Sequence, residues 1–435
     1  MRECGVALYG CGTVGAGVAD ILLGRRGALR ERVGERIRLR YVVDKRLKEL
    51  AAELRLPSAT KLTDDLETPL RDADVDVVVE LFGGISAARS VIEKALNAGK
   101  DVVTANKALL ALHGDELFRL ARRKGRSIAF EASVCGGIPI IAALRDGLVA
   151  ERVESIHGIV NGTCNYILTQ MSQRDLPYDQ ALAEAQGKGY AEADPALDVE
   201  GEDAAHKLAV LARLAFGLVV TVDDIAREGI SEVEPEDLRY ARSLGYTLKL
   251  LATGIRRDST LELHVYPCLL RHSHPLASVN GAYNAVCVHG DSVGEVVLTG
   301  LGAGRWPTAS AVVADVCRAA LGTYRTDFAE MSQFGDVPRA VVRPSSELRM
   351  RYYFRLSCLD QPGVLAKVAG ILGRHGISIA SCIQQDQALP GEKHVPVVFM
   401  TREACEGALM EAMLGINQLD CIDGGRTRLL RVQDI

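Results

Sequence analysis

Three glycines near the amino end, Gly10, Gly12 and Gly15, constrain the fold of this chain more than any other feature. The apolar run Val6-Ala7-Leu8-Tyr9 before them reads as a buried strand. Beyond them Val14, Val18, Ile21 and Leu22 recur at helical spacing. Strand, glycine turn and amphipathic helix together turn the G-x-G-x-x-G spacing into a dinucleotide-binding pattern. Each glycine answers its own steric demand: Gly10 the tight turn, Gly12 the close approach of a pyrophosphate, Gly15 the seating of helix on sheet. Free N–H groups at the helix start, from Thr13 and Val14 onward, then face the anion. An ordinary tight strand-to-helix turn would carry the same glycines, so the pattern needs support from the rest of the chain.

The next hundred residues supply it. Strands are expected at 37–43, 76–80, 101–104 and 126–130, with helices at 86–98 and 108–124. This alternation predicts a parallel sheet with ligands at the carboxyl ends of its strands, where Thr104, Asn106, Lys107 and Glu131 fall. Asp44 closes the second strand where a carboxylate can hold ribose hydroxyls, which points to NAD. Lys45 and Arg46 follow it and suit a 2′-phosphate, which points to NADP. The sequence leaves both open.

At 435 residues the chain should form two to four domains, at about 150 residues each. Its net charge of −5 arises from well-mixed acidic and basic residues, giving no footprint for nucleic acid. No apolar run is long enough to cross a membrane, and the amino end lacks a signal peptide's layout. The 11 cysteines are scattered, without C-x-x-C pairs, and read as free thiols in a reducing, cytoplasmic setting.

In the middle, the loop carrying Glu192, Asp194 and Asp198 leads into a long helix expected to start near Val199, with Glu200, Glu202 and Asp203 in its opening turns. Asp203 and Lys207 stand four apart and share a face. A surface pair there would be worth only about 0.3–0.5 kcal/mol. The helix is apolar over most of its circumference, however, so the pair is expected to border a cavity. The period then changes to two, with strands at 247–254, 261–268, 285–288 and 294–299 and a turn at 289–291. A second glycine-rich loop, 300–304, precedes a helix at 307–324. After a polar connection, the tail reads as strand 350–356, helix 364–375, strands 377–384 and 395–401, helix 405–414 and strand 426–432, the ferredoxin-like order. The tail has no catalytic cluster, which favours ligand sensing or assembly.

Taken together, the chain resembles the homoserine dehydrogenases that carry a carboxyl-terminal ACT domain, a small amino-acid-sensing module. The resemblance rests on the glycine loop, VVTANKALL, EASVCGGIPI, GIVNGTCNYIL, GYAEADPALDVEGEDAAHK, GLGAGRWPTASAVVAD and the tail's DQPGVLAKVAGILGRHGISI. It implies an α/β chain with a Rossmann-type nucleotide-binding domain over 1–135, joined by the returning helix near 307–324. An α+β catalytic and dimerisation domain with a mostly antiparallel sheet follows over 136–306, then a connection at 325–348 and the ACT domain at 349–435.

The implied reaction is reversible NAD(P)H-dependent reduction of L-aspartate 4-semialdehyde to L-homoserine, serving threonine, methionine and isoleucine synthesis. Lys207 would exchange the proton, Lys107 would face the reacting centre and Glu192 would meet the substrate's α-amino group, while Asp198 and Asp203 orient substrate and lysines. Gly302 would lie close to cofactor and substrate. Glu131 with Val134, Gly136 and Ile138 would hold a monovalent cation, usually sodium. Asp360, Gly363, Val364 and Leu365 would form a sensor site, with L-threonine the expected ligand, and the chain would form a homodimer or higher homo-oligomer.

Two departures stand out: Cys135 replaces a frequent glycine, making the pocket wall bulkier, and Val43 replaces an arginine common in NADP-using relatives. Use of both cofactors is therefore expected. The rival readings are a dehydrogenase of another amino-acid semialdehyde and a non-catalytic nucleotide or amino-acid sensor.

Overall fold

The computed structural model describes residues 3–34, 36–54, 56–384 and 394–435. The chain forms two compact units, one of residues 1–154, 205–224 and 284–340, the other of residues 155–204, 225–283 and 341–435.

The first unit is built on a parallel sheet of β1 (Glu3–Tyr9), β2 (Arg36–Val43), β3 (Lys61–Thr63), β4 (Val77–Glu80), β5 (Asp101–Thr104) and β6 (Ile128–Ala129), in the order β3-β2-β1-β4-β5-β6. That is the doubly wound order, reversing beside β1, where the crevice for a dinucleotide opens. Val6, Leu8, Val77, Val79 and Val103 are buried in one core with Val18 and Ile21 of the helix Thr13–Gly24 and Val312 and Val316 of the helix Arg305–Leu321. Each such side chain contributes roughly 1.5–3 kcal/mol on leaving water. The two helices approach closely: a Cβ on Gly17 would lie 3.0 Å from that of Ala309. The short edge strand β3 carries too little periodicity to be read from sequence. The helix expected at 307–324 ends at Gly322, whose φ of 77° stops it, and a separate helix Thr323–Glu330 follows.

The chain then supplies β7 (Val153–Ile159), β8 (Ala226–Arg227), β9 (Tyr246–Arg257), β10 (Thr260–Arg271), β11 (Tyr283–Gly290), β12 (Gly294–Leu301), β13 (Arg349–Leu359), β14 (Ile379–Gln384), β15 (His394–Thr401), β16 (Ala404–Cys405) and β17 (Arg428–Val432). Strands β11 and β12 neighbour each other. His289 and Gly290, expected in a turn, belong to β11. The turn itself falls at 291–293, where the Glu151 carboxylate accepts the N–H groups of Ser292 and Val293 at 3.0 Å each.

The second unit's sheet runs β7-β9-β10-β17-β13-β15-β14, with β8 beside β10 and β16 beside β13. Its long hairpin β9–β10 is antiparallel, as are β13–β15 and β13–β17, whereas β17 joins β10 in parallel through Cys268 opposite Arg431 and Leu269 opposite Val432. The tail has the expected β-α-β-β-α-β order, with helices Val364–Arg374 and Glu406–Asn417 over one core. All 11 cysteines are free thiols, and among the described residues no helix is long and apolar enough to cross a membrane.

Lys249 on β9 lies in the interior of this unit, 1% exposed, with Nζ 2.5 Å from the Val279 carbonyl, 3.0 Å from Asn165 Oδ1 and 3.3 Å from Asn280 Oδ1. Burial pushes its ammonium down to about 8. Between that value and the unfolded lysine's, about 10.4, the folded chain binds fewer protons, so this group makes stability rise with pH there. We expect urea unfolding of the wild type to gain on the order of 1–3 kcal/mol relative to Lys249→Met as pH climbs through that window.

Candidate active site

The glycine loop joins β1 to its helix as the spacing predicts. Gly10 has φ 88°, and a Cβ there would sit 2.8 Å from the Leu81 backbone. A Cβ on Gly15 would lie only 2.1 Å from the Gly10 carbonyl oxygen, so no side chain fits. Gly12 differs, because a Cβ there meets no protein atom within 4 Å; its surroundings are open toward the crevice. Gly12 also caps the helix without a side-chain acceptor, leaving Thr13, Val14 and the first N–H groups for an anion. Replacing Gly15 by valine should weaken NADPH binding on the order of tenfold or more, the equivalent of 1–3 kcal/mol of overpacking, measured by cofactor fluorescence titration.

Asp44, at the end of β2, accepts the Cys11 N–H at 2.8 Å and the Arg46 N–H at 3.0 Å. Arg46 folds back, its Nε 3.2 Å from Asp44 Oδ1 and its Nη2 2.9 Å from the Cys11 carbonyl. Burial alone would raise the Asp44 carboxyl, but the guanidinium and the two amides outweigh it and hold it below the usual range. Lys45 and Arg46 are both exposed, and it is Arg46 that bonds to the loop, through the Cys11 carbonyl.

A cavity of about 240 Å³ opens beside Val14, Leu81, Phe82, Asn106 and Lys107. Thr104 is fully buried beneath it. Its hydroxyl donates to Glu80 at 2.6 Å and accepts the Asn106 N–H at 3.0 Å, so it shapes the crevice rather than facing a ligand. Burial pushes the Glu80 carboxyl up to about 7. Asn106 caps the helix Lys107–Arg123, accepting the Leu109 N–H at 3.1 Å and donating to the Gly84 carbonyl at 2.8 Å. Lys107 is thus the first helical residue, a cation at the positive end of a helix dipole. That placement costs about 0.3–1 kcal/mol, the kind of local conflict that marks function.

In the second unit, Asn161 caps the helix Gly162–Arg174 by accepting the Cys164 N–H at 2.8 Å. Its Nδ2 donates to Asp198 Oδ1 at 2.7 Å and to Asp203 Oδ2 at 2.8 Å. The single long helix expected from Val199 is two pieces, Ala196–Val199 and Glu202–Phe216, because Gly201 turns between them with φ 83°. Asp198 ends up in the first piece and Asp203, 5% exposed, in the opening turn of the second; half-buried Lys207 follows one turn later on that helix, among the residues of the first unit. Glu192 is exposed, in a segment anchored by the Gln186 side chain donating to the Glu192 carbonyl at 3.1 Å and by Thr163 Oγ1 donating to the Tyr190 carbonyl at 2.7 Å.

Residues 131–138 return in the first unit. Both carboxylate oxygens of Glu131 accept backbone amides, Ile141 and Ala142 at 2.9 Å each, while its own N–H donates to Asp315 at 2.8 Å. Burial, then the Asp315 charge, pushes Glu131 up to about 7, and burial pushes Asp315 up to about 6. Two interior acids side by side suit a cation. Among the described residues the carbonyls of Val134 and Gly136 receive no hydrogen bond, while that of Ile138 accepts the Ile140 N–H at 2.8 Å. A set of hard oxygens of this kind fits a monovalent ion better than a soft metal. Cys135 is buried with φ 51°, a left-handed conformation that explains why glycine suits this position. Gly302 allows no side chain, since its Cβ would fall 1.2 Å from Asn284 Oδ1.

In the tail, Asp360, Gly363, Val364 and Leu365 all line one cavity of about 170 Å³ at the start of the helix Val364–Arg374. Gln384 Nε2 reaches Asp360 Oδ1 at 3.5 Å across it. Arg46 was read together with Lys45 as a partner for a 2′-phosphate, whereas Glu80 and Asn161 were not singled out as site residues on sequence grounds. Asn161 lay inside a quoted motif, but Glu80 gave no signal beyond ending a strand.

Comparison with known proteins gives these sites a common context. Family models match at residues 10–131 (homoserine dehydrogenase, NAD binding domain), 139–317 (homoserine dehydrogenase) and 352–407 (ACT domain). Homoserine dehydrogenase of Neisseria gonorrhoeae is 41% identical over 428 residues, covering 97% of each chain. The crystal structure of a homoserine dehydrogenase from Thiobacillus denitrificans superposes with a TM-score of 0.91 at 40% identity, covering 100% of this chain and 99% of that one. A hyperthermophilic archaeal homoserine dehydrogenase in complex with NADPH gives a TM-score of 0.63 at 27% identity over 74% of this chain and 98% of its own. Matched over its whole length in sequence and fold, the chain belongs to the homoserine dehydrogenase family of NAD(P)-dependent oxidoreductases, in the form that ends in an ACT domain.

Proposed function

We propose that the chain reduces L-aspartate 4-semialdehyde reversibly to L-homoserine, with the Lys207 ammonium as proton donor. The observation that carries this is the pair of carboxylates Asp198 and Asp203, tied together by Asn161 one helical turn ahead of Lys207. A nicotinamide cofactor held at the glycine loop supplies the hydride when bound. As the carbonyl carbon is reduced, its oxygen gains a negative charge. An ammonium aimed at that oxygen stabilises the charge and gives up the proton, and in the reverse direction the neutral amine takes it back. Lys107, at the crevice rim, faces the same centre. Glu192 accepts the substrate's α-ammonium group, Asp198 and Asp203 orient substrate and lysines, and Gly302 lies close to cofactor and substrate.

Arg46 folded over Asp44 supports acceptance of a 2′-phosphate, and Asp44 supports ribose recognition, so both NADP and NAD serve. The buried acid pair Glu131 and Asp315 supports a sodium ion held by Glu131 and the carbonyls of Val134, Gly136 and Ile138, acting as a structural brace rather than a Lewis acid. The cavity at Asp360, Gly363, Val364 and Leu365 supports L-threonine as a feedback ligand. The working form is a homodimer or higher homo-oligomer.

Following NADPH absorbance with aspartate semialdehyde, and NADP+ with homoserine in reverse, tests the activity. Turnover of homoserine well above that of other hydroxy amino acids is the expected result; preference for a different one replaces the substrate. Adding threonine should slow the wild type, and Asp360→Ala should blunt that response.

A further inference from the structure

We propose that Asn161 is the positioning residue for the substrate-facing carboxylates, its side-chain amide fixing Asp198 and Asp203 as two acceptors turned toward a primary ammonium group. This rests on the roles given to those acids above. The orientation of the amide is not free. The Cys164 N–H, at 2.8 Å, requires an acceptor, so Oδ1 must be at that end and Nδ2 must face the acids. The two amide hydrogens therefore go to two different carboxylates, at 2.7 and 2.8 Å. One donor group shared between them holds the two carboxylates in a fixed mutual orientation.

The link also bridges a break in the chain. Asp198 and Asp203 stand on either side of Gly201, whose left-handed φ of 83° separates their helical pieces. At 5% exposed, Asn161 has little water available to replace its bonds. Capping alone does not select asparagine, because aspartate and serine cap helices as well. The donor end does select it, since neither alternative can give two hydrogens to two acids.

The test compares wild type with Asn161→Asp and Asn161→Ser in homoserine oxidation, measuring kcat and KM for homoserine and for NADP+ between about pH 6 and 9. Both variants keep a cap oxygen, so the helix start survives. The groups bonded at position 161 are the Asp198 and Asp203 carboxylates and the Cys164 N–H, with the Cys164 thiol near the Asp198 carbonyl. In Asn161→Asp the homoserine KM should rise on the order of 100-fold at the alkaline end, with the NADP+ KM unchanged. That defect should shrink toward pH 6, as a protonated Asp regains one donor. Asn161→Ser should show the raised homoserine KM at every pH. A homoserine KM indistinguishable from wild type in Asn161→Asp, or one that moves in parallel with the NADP+ KM in both variants, overturns the proposal. A wild type that fails to oxidise homoserine overturns the substrate reading instead.

Discussion

Replacing Lys207 by alanine should lower kcat for aspartate semialdehyde reduction by about 10²–10⁴-fold, the range for losing a positioned general acid. Lys207 is half-buried on the helix Glu202–Phe216, whose core face is made by Ala205, Leu208, Ala209 and Leu211 rather than by the lysine. Alanine also has the better helix propensity, so the helix should persist and the melting temperature should stay near wild type. The loss should therefore appear in turnover and not in folding or in NADPH affinity. Lys207→Arg makes the sharper comparison: a guanidinium keeps the charge but does not release a proton near neutral pH. If charge alone mattered, arginine would restore most of the rate; under the proposed mechanism it restores little. Steady-state kinetics with a thermal melt on each variant separates the cases.

The second large effect is on stability. In the second unit, Arg355 on β13 is 4% exposed, with Nε 2.7 Å from Asp237 Oδ1, Nη1 2.8 Å from Glu236 and Nη2 2.5 Å from Glu234. The Tyr353 hydroxyl donates to the same Asp237 oxygen at 2.9 Å. All three acids belong to the segment 234–237 at the start of the helix Pro235–Ser243, so this cluster fastens the tail's first strand to the middle sheet's neighbouring helix. Arg355→Met removes the cation and leaves Asp237, 1% exposed, buried without its charge partner. Breaking a buried pair from one side costs roughly 3–5 kcal/mol. Replacing Asp237 by leucine as well should recover part of that loss by removing the buried carboxylate, the remainder being the buried Tyr353 hydroxyl left without its acceptor. Urea unfolding of the two single variants and the double variant measures the coupling. Equal losses that simply add would show that the cluster contributes little beyond packing.

The same sequence made some of these features legible and hid others. Local grammar read well. The strand, glycine loop and helix at residues 3–24, the parallel alternation to 131 and the tail's β-α-β-β-α-β order all follow from periodicity within a dozen residues. Boundaries set by one backbone angle did not. Gly201 splits the expected long helix and Gly322 ends another, yet a glycine in an apolar helical pattern looks the same whether its φ is positive or negative. Pairings across long stretches of chain were also invisible: β17 lies parallel to β10, and Asn161 reaches acids 37 and 42 residues away. Lys107 was expected at the carboxyl end of a strand, ahead of a helix at 108–124, and the structure makes it that helix's first residue. The candidate site was not legible for Glu80 or Asn161, whose importance comes only from what the fold brings beside them.

The most direct test is a structure of the protein with NADP+ and homoserine bound. The account predicts Lys207 Nζ within about 3.2 Å of the homoserine hydroxyl oxygen, or joined to it through one water. Lys207 turned away from that oxygen, with another titratable group in hydrogen-bond contact with it, would contradict the account.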